Sequence, residues 1–116
     1  MGEAMREGWL AVCAEGDVAL EDVIAVHGAG RPLAIYRSAE GLYYATDGLC
    51  THEQAPLADG LVMGCLIECP KHNGRFDFTT GKATRRPARV DLRTYPVKIE
   101  SGTVFVQIEA PGEEKR

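Results

Sequence analysis

Apolar and polar positions alternate with a period of two over most of the hydrophobic stretches of this chain, which predicts strands rather than helices. In residues 95–100, Tyr95, Val97 and Ile99 share one side, with Lys98 and Glu100 on the other. In residues 103–108, Val104, Val106 and Ile108 share a face, and Ser101-Gly102 between the two segments is a two-residue turn signal. A second hairpin is expected to join residues 32–37 to 42–46 across 38–41, with Gly41 free to take positive φ. Residues 9–12 and 23–26 read as further strands, and residues 17–23 as the start of a short turn. No window sustains a helical period beyond about two turns. The pattern alone predicts a small antiparallel β domain.

Composition fits one such domain. The 116 residues are 45% apolar and 26% charged, with 13 Gly and 6 Pro, which excludes disorder, collagen and coiled coil. The apolar runs are too short for a helical membrane span, and Glu3, Arg6 and Glu7 at the N-terminus argue against a signal peptide. A cytoplasmic protein is expected. Net charge is −4, unevenly spread: residues 1–70 hold eleven acids and three bases, residues 71–98 eight bases and two acids. The basic run lacks regularly spaced stacking aromatics, so a protein-docking or solvated face is expected and nucleic acid is not.

Between the hairpins, residues 47–87 are rich in turn formers and carry the chemistry. Cys50-Thr51-His52 and Cys69-Pro70-Lys71-His72 form a C-x-H, sixteen-residue, C-x-x-H pattern. Each pair brings one thiolate and one imidazole to a turn. Zinc accepts two Cys and two His, but its usual finger pairs like with like along the chain. A [2Fe–2S] centre with Cys on one iron and His on the other suits the mixed pairs better. Cys65 and Cys13 are read as buried bystanders, His27 as surface structure and Trp9 as a core-edge aromatic.

With Gly74-Arg75-Phe76-Asp77 and Thr80-Gly81 following, the pattern resembles the Rieske iron–sulfur family. It is most similar to the small Rieske-type ferredoxins of bacterial multicomponent aromatic-ring dioxygenases, from Trp9 to about Glu109. The resemblance implies an all-β Rieske domain of three antiparallel sheets spanning residues 1–116. Its cluster-binding lobe, about 47–87, would be inserted in a basal domain made of about 8–46 and 88–109. It implies one Rieske-type [2Fe–2S] cluster, with Cys50 and Cys69 on one iron and His52 and His72 on the other. Pro87-Ala88 falls where the family often has a proline loop covering the cluster.

Departures from the respiratory members are informative. Ala55 and Lys71 stand where those proteins carry a cysteine pair, so the stabilising disulfide is missing. Gly74 and Phe76 stand where they carry Ser and Tyr hydroxyls that bond to sulfur. Such bonds stabilise the reduced cluster, so a low reduction potential is expected.

No second metal motif and no G-x-G-x-x-G fingerprint is found, so the chain reads as a carrier rather than an enzyme. The resemblance implies electrons arriving from an FAD-containing NAD(P)H-dependent ferredoxin reductase and leaving to a terminal Rieske non-haem iron oxygenase. Docking is expected at the tip formed by residues 50–56, 70–75 and Pro87, with the basic 71–98 segment steering acidic partners. Two alternatives are a small nitrite-reductase-like Rieske subunit and a structural zinc module.

Overall fold

The computed structural model describes residues 5–6, 8–51, 54–71 and 73–108. Strands appear in the order β1 (Met5–Arg6), β2 (Trp9–Ala14), β3 (Asp22–Gly28), β4 (Arg31–Arg37) and β5 (Tyr43–Asp47). Then follow β6 (Leu61–Met63), β7 (Leu66–Glu68), β8 (Arg75–Asp77) and β9 (Ala83–Arg85). Last come β10 (Thr94–Tyr95), β11 (Val97–Glu100) and β12 (Thr103–Gln107). The described residues otherwise hold only 3-10 turns at Glu15–Asp17 and Leu57–Asp59, so no helix among them is long and apolar enough to cross a membrane.

The strands make three antiparallel four-stranded sheets, ordered β1-β2-β12-β11, β10-β5-β4-β3 and β6-β7-β8-β9. Both expected hairpins form. In one, Gly41 takes φ 93 in the turn between β4 and β5. In the other, Ser101 and Gly102 take φ 51 and 79, as a primed two-residue turn requires.

Within the middle sheet β4 is buried on both faces, which explains why Leu33-Ala34-Ile35-Tyr36 is a continuous apolar run instead of an alternating one. Leu33 and Ile35 join Leu10, Val18, Ala45, Tyr95, Val104, Val106 and Ile108 in one core. Ala34 and Tyr36 face the other way, into a core built from Cys50, Leu57, Ile67, Cys69, Phe76, Phe78, Ala88 and Leu92. The sheet β6-β7-β8-β9 is seated on the middle sheet through that second core. Phe78 carries much of the joint: its ring stacks on Tyr36 at 4.5 Å with an interplanar angle of 4°, and Tyr44 meets it tilted at 5.6 Å. The Tyr36 hydroxyl, buried with the ring, is satisfied by the Thr46 hydroxyl at 2.8 Å.

Candidate metal centre

Cys50 opens the loop after β5, and Cys69 opens the loop after β7. Both thiols are buried, at 0% and 2% exposure, although their loops lie at the surface. The two loops close alike. The Cys50 N–H donates to the Ala55 carbonyl at 2.8 Å, and the Cys69 N–H donates to the Gly74 carbonyl at 2.7 Å, five residues on in each case. The residue four after each cysteine takes left-handed backbone, Gln54 at φ 59 and Asn73 at φ 63. Asparagine tolerates that region; glutamine does so at a cost. His52 and His72 lie outside the described residues.

Each loop is held from behind. For the first, the Leu57 N–H donates to the Gly48 carbonyl at 2.9 Å, and Leu49 and Pro56 form an isolated antiparallel bridge. For the second, Glu68 reaches across the base: its Oε2 accepts from Asn73 Nδ2 at 3.2 Å and lies 3.5 Å from Arg75 Nε. Glu68 was not singled out from sequence; its place one residue before the cysteine was the available signal. The Arg75-Phe76-Asp77 segment divides its labour. Arg75 pairs with Glu68, Phe76 is fully buried, and Asp77 Oδ1 accepts from the Thr79 N–H and hydroxyl at 2.9 and 2.6 Å to fix the turn after β8.

A third wall comes from residues 86–92. Ala88 is 4% exposed and packs on Gly74, where an added Cβ would lie 3.0 Å from both the Ala88 Cβ and its N. The Thr51 hydroxyl donates to the Val90 carbonyl at 2.6 Å, so this wall touches both cysteine loops. The edge of the tip is exposed at Gln54, Pro56, Pro70, Lys71 and Asn73.

The other cysteines differ from expectation. Cys65 is exposed rather than buried. Residues 64–69 do not run as one strand, because Gly64-Cys65 is the β6–β7 turn, with Gly64 at φ 62, and alternation begins only at Leu66. Cys13 is half-buried in β2; burial, aided by the Asp17 carboxylate, pushes its thiol up to about 11. His27 is exposed, and Trp9 is half-buried with Lys98 Nζ 4.6 Å from its ring centre. Iodoacetamide at neutral pH is therefore expected to label Cys65 rapidly and Cys13 slowly, because the thiolate is the nucleophile. Stripping iron with a chelator should open Cys50 and Cys69 to labelling. Peptide mapping that finds Cys50 or Cys69 labelled in iron-loaded protein would contradict their role.

The donor set suits an iron–sulfur centre. Two buried thiols at the bases of matched surface loops offer soft ligands screened from water. All four cysteines are thiols, so neither loop is tied by a disulfide.

Comparison with known proteins agrees. The Rieske [2Fe-2S] domain family model matches residues 8–96. The chain is 45% identical over 105 residues to the ferredoxin component of the naphthalene 1,2-dioxygenase/salicylate 5-hydroxylase systems of Ralstonia sp, covering 90% of this chain and 100% of that one. It is 46% identical over 104 residues to the naphthalene 1,2-dioxygenase ferredoxin component of Pseudomonas putida, covering 90% and 99%. A solved complex of reduced oxygenase and oxidized ferredoxin in carbazole 1,9a-dioxygenase contains a chain that superposes with a TM-score of 0.83. Identity there is 38%, with 93% of this chain and 100% of that one covered. Matched loops around two buried cysteines, three antiparallel sheets and these relatives together establish that the chain belongs to the Rieske [2Fe-2S] family.

Proposed function

We propose that this protein is a one-electron carrier, taking electrons from an FAD-containing NAD(P)H-dependent ferredoxin reductase and delivering them to a terminal Rieske non-haem iron oxygenase. The observation that carries the reading is near full-length similarity to ferredoxin components of dioxygenase systems. The oxygenase partner is supported by the carbazole dioxygenase complex, in which a similar ferredoxin accompanies an oxygenase. The reductase and a cytoplasmic location follow from the same kinship and are part of the proposal.

Cys50 and Cys69 are assigned to one iron, and His52 and His72 to the other. A [2Fe–2S] cluster held there supplies reversible one-electron redox chemistry. The chain's own part is to hold the two loops rigid, exclude water from the thiols and present the tip. Ala55, Gly74 and Ala88 line the loops with small, nonpolar groups, and the Cys50 and Cys69 amides are committed to backbone carbonyls. In domain terms, residues 1–116 form a single Rieske domain in which the lobe, about 47–87, is inserted between the two parts of the base. The tip is where partners meet, through a small transient interface. An EPR spectrum of dithionite-reduced protein tests the assignment: mixed His/Cys ligation gives a signal distinct from all-Cys ligation, and zinc gives none.

The potential is expected near the low end of the roughly −150 to +300 mV Rieske range. No hydroxyl is available at Gly74 or Phe76, and Ala88 fills the space beside Gly74 that a serine side chain would need. Hydrogen bonds to cluster sulfur are thereby forgone, and the reduced state loses their stabilisation. A redox titration placing the potential above roughly +100 mV on that range would contradict this account.

A further inference from the structure

Cations on this chain fall into two groups. Five of the ten whose side chains are described are spent internally. Arg31 donates to the Tyr95 hydroxyl, Arg37 donates to the Val18 carbonyl and lies over the Tyr43 ring, and Arg75 pairs with Glu68. Arg93 covers Tyr95, and Lys98 pairs with Glu100 and caps Trp9. Lys71 and Lys82 are exposed without such contacts, and so, as a cluster, are Arg85, Arg86 and Arg89: all three are exposed, and none has a side-chain hydrogen bond, ion pair or ring contact to a described residue. With Ala83, Thr84 and Ala88 they line one open groove.

We propose that this groove is an electrostatic docking surface for a carboxylate-rich protein partner. The inference rests on the carrier reading and adds where on the lobe the partner is gripped, and by what chemistry. The grip is on the edge strand β9 and the third wall, not on the cysteine loops themselves. Arg75, which the sequence placed among the steering charges, is half-buried and already paired. Three guanidiniums suit carboxylates because each offers a planar fork of donors.

The groove is well supported. β9 pairs with β8, with Arg85 opposite Arg75, and the Ala83 N–H is held by Asp91 Oδ1 at 2.9 Å. That carboxylate is committed to the backbone, and the Glu68 carboxylate is paired with Arg75. The Ala88 N–H donates to the Arg85 carbonyl at 3.1 Å, and Ala88 and Val90 contact the second and first cysteine loops respectively. A partner seated on the arginines is thus brought beside both loops. Val90, 64% exposed, provides an apolar neighbour that such a partner would cover.

Charge distribution favours a protein over a nucleic acid. The groove is basic, but residues 1–70 carry a strong excess of acids, which repel an extended polyanion. A finite acidic patch escapes that repulsion. No aromatic lines the groove to stack a base.

The test compares iron-loaded wild type with R85E/R86E/R89E and R85Q/R86Q/R89Q. The partners are the reductase and oxygenase of the Pseudomonas putida naphthalene 1,2-dioxygenase system. At low salt the reversal variant should lose about ten- to a hundredfold in second-order rate with at least one partner, and the Gln variant less. Wild type should slow as salt rises, and the reversal variant should not. Visible spectra should match wild type throughout, rates should be compared after allowing for the measured change in potential, and K98E should behave as wild type. Equal rates for wild type and both triple variants would overturn the groove, as would tight binding of duplex DNA that the reversal abolishes. Failure of wild type to couple with either partner would instead count against the carrier reading. The groove would then be judged by oxidation of the reduced protein with hexacyanoferrate(III), an anionic probe. Slowing by the reversal supports an anion-accepting surface beside the tip, and indifference overturns it.

Discussion

Cys50→Ser and Cys69→Ser should each yield colourless protein with little bound iron, whereas Cys65→Ser should keep the full visible spectrum. The first two thiols are buried at the bases of matched loops, and the third sits on an exposed turn. Serine offers a harder oxygen that suits an iron–sulfur centre poorly. It also leaves a hydroxyl in an apolar core, at a cost of about 1–3 kcal/mol if unsatisfied. The damage should be uneven. Cys50 and Cys69 belong to the core that holds β6-β7-β8-β9 on the middle sheet, while the other core is filled from β2, β4, β5 and β12 without them. The lobe has no disulfide to close its loops, so metal and local folding are coupled. Hydrogen exchange in the Ser variants should therefore speed up across residues 48–92 and change little in β2, β11 and β12. A Cys50 or Cys69 variant with an unchanged spectrum would overturn the ligand assignment, and uniform exchange would overturn the division between the cores.

What the sequence disclosed follows from length and period. β4-β5 and β11-β12 are long enough for alternation to register, and their turns carry Gly41 and Ser101-Gly102, whose positive φ the pattern requires. The four strands of the third sheet are three residues each, too short to show a period, and only the family resemblance anticipated that sheet. Cys65 shows the cost of reading alternation through a turn. Gly64 bends the chain, so the parity established by Ile67 and Cys69 does not extend back to it. The C-x-H and C-x-x-H spacing identified the two loops, and the structure buries both cysteines. The histidines lie outside the described residues, so their assignment rests on the motif. What spacing could not disclose is how the loops are held. Thr51 acts on Val90 across a distance that no local pattern encodes, the Glu68 clamp depends on how the loop folds back, and the arginines gain meaning only once other cations are seen to be paired.

Gly60→Ala should be strongly damaging for the addition of a single methyl group. The backbone at Gly60, φ −91 and ψ −161, is open to any residue, so conformational strain is not the reason. The obstacle is contact: a Cβ there would sit 2.0 Å from the Glu68 carbonyl oxygen and 3.2 Å from that of Leu57. Both obstacles are backbone, so no rotamer change relieves them. Leu61 pairs with Glu68, and Cys69 follows directly, so displacing the Glu68 peptide moves the second cysteine loop and its clamp to Asn73 and Arg75. Leu57, fully buried, ties the same turn to the first loop through the Gly48 carbonyl. The expected cost is about 3 kcal/mol, at the top of the usual overpacking range. For a domain of this size that lowers the thermal midpoint by about 10–15 °C. Cluster bleaching by a chelator should accelerate as well, since the loop bearing Cys69 is the part displaced. Gly16→Ala supplies the control, because a Cβ there meets nothing within 4 Å. It should be neutral or stabilising by about 0.4–1 kcal/mol through the unfolded chain. Equal thermal midpoints and bleaching rates for the two variants would show that the close approach of β6 to the Glu68 carbonyl does not hold the second loop in place.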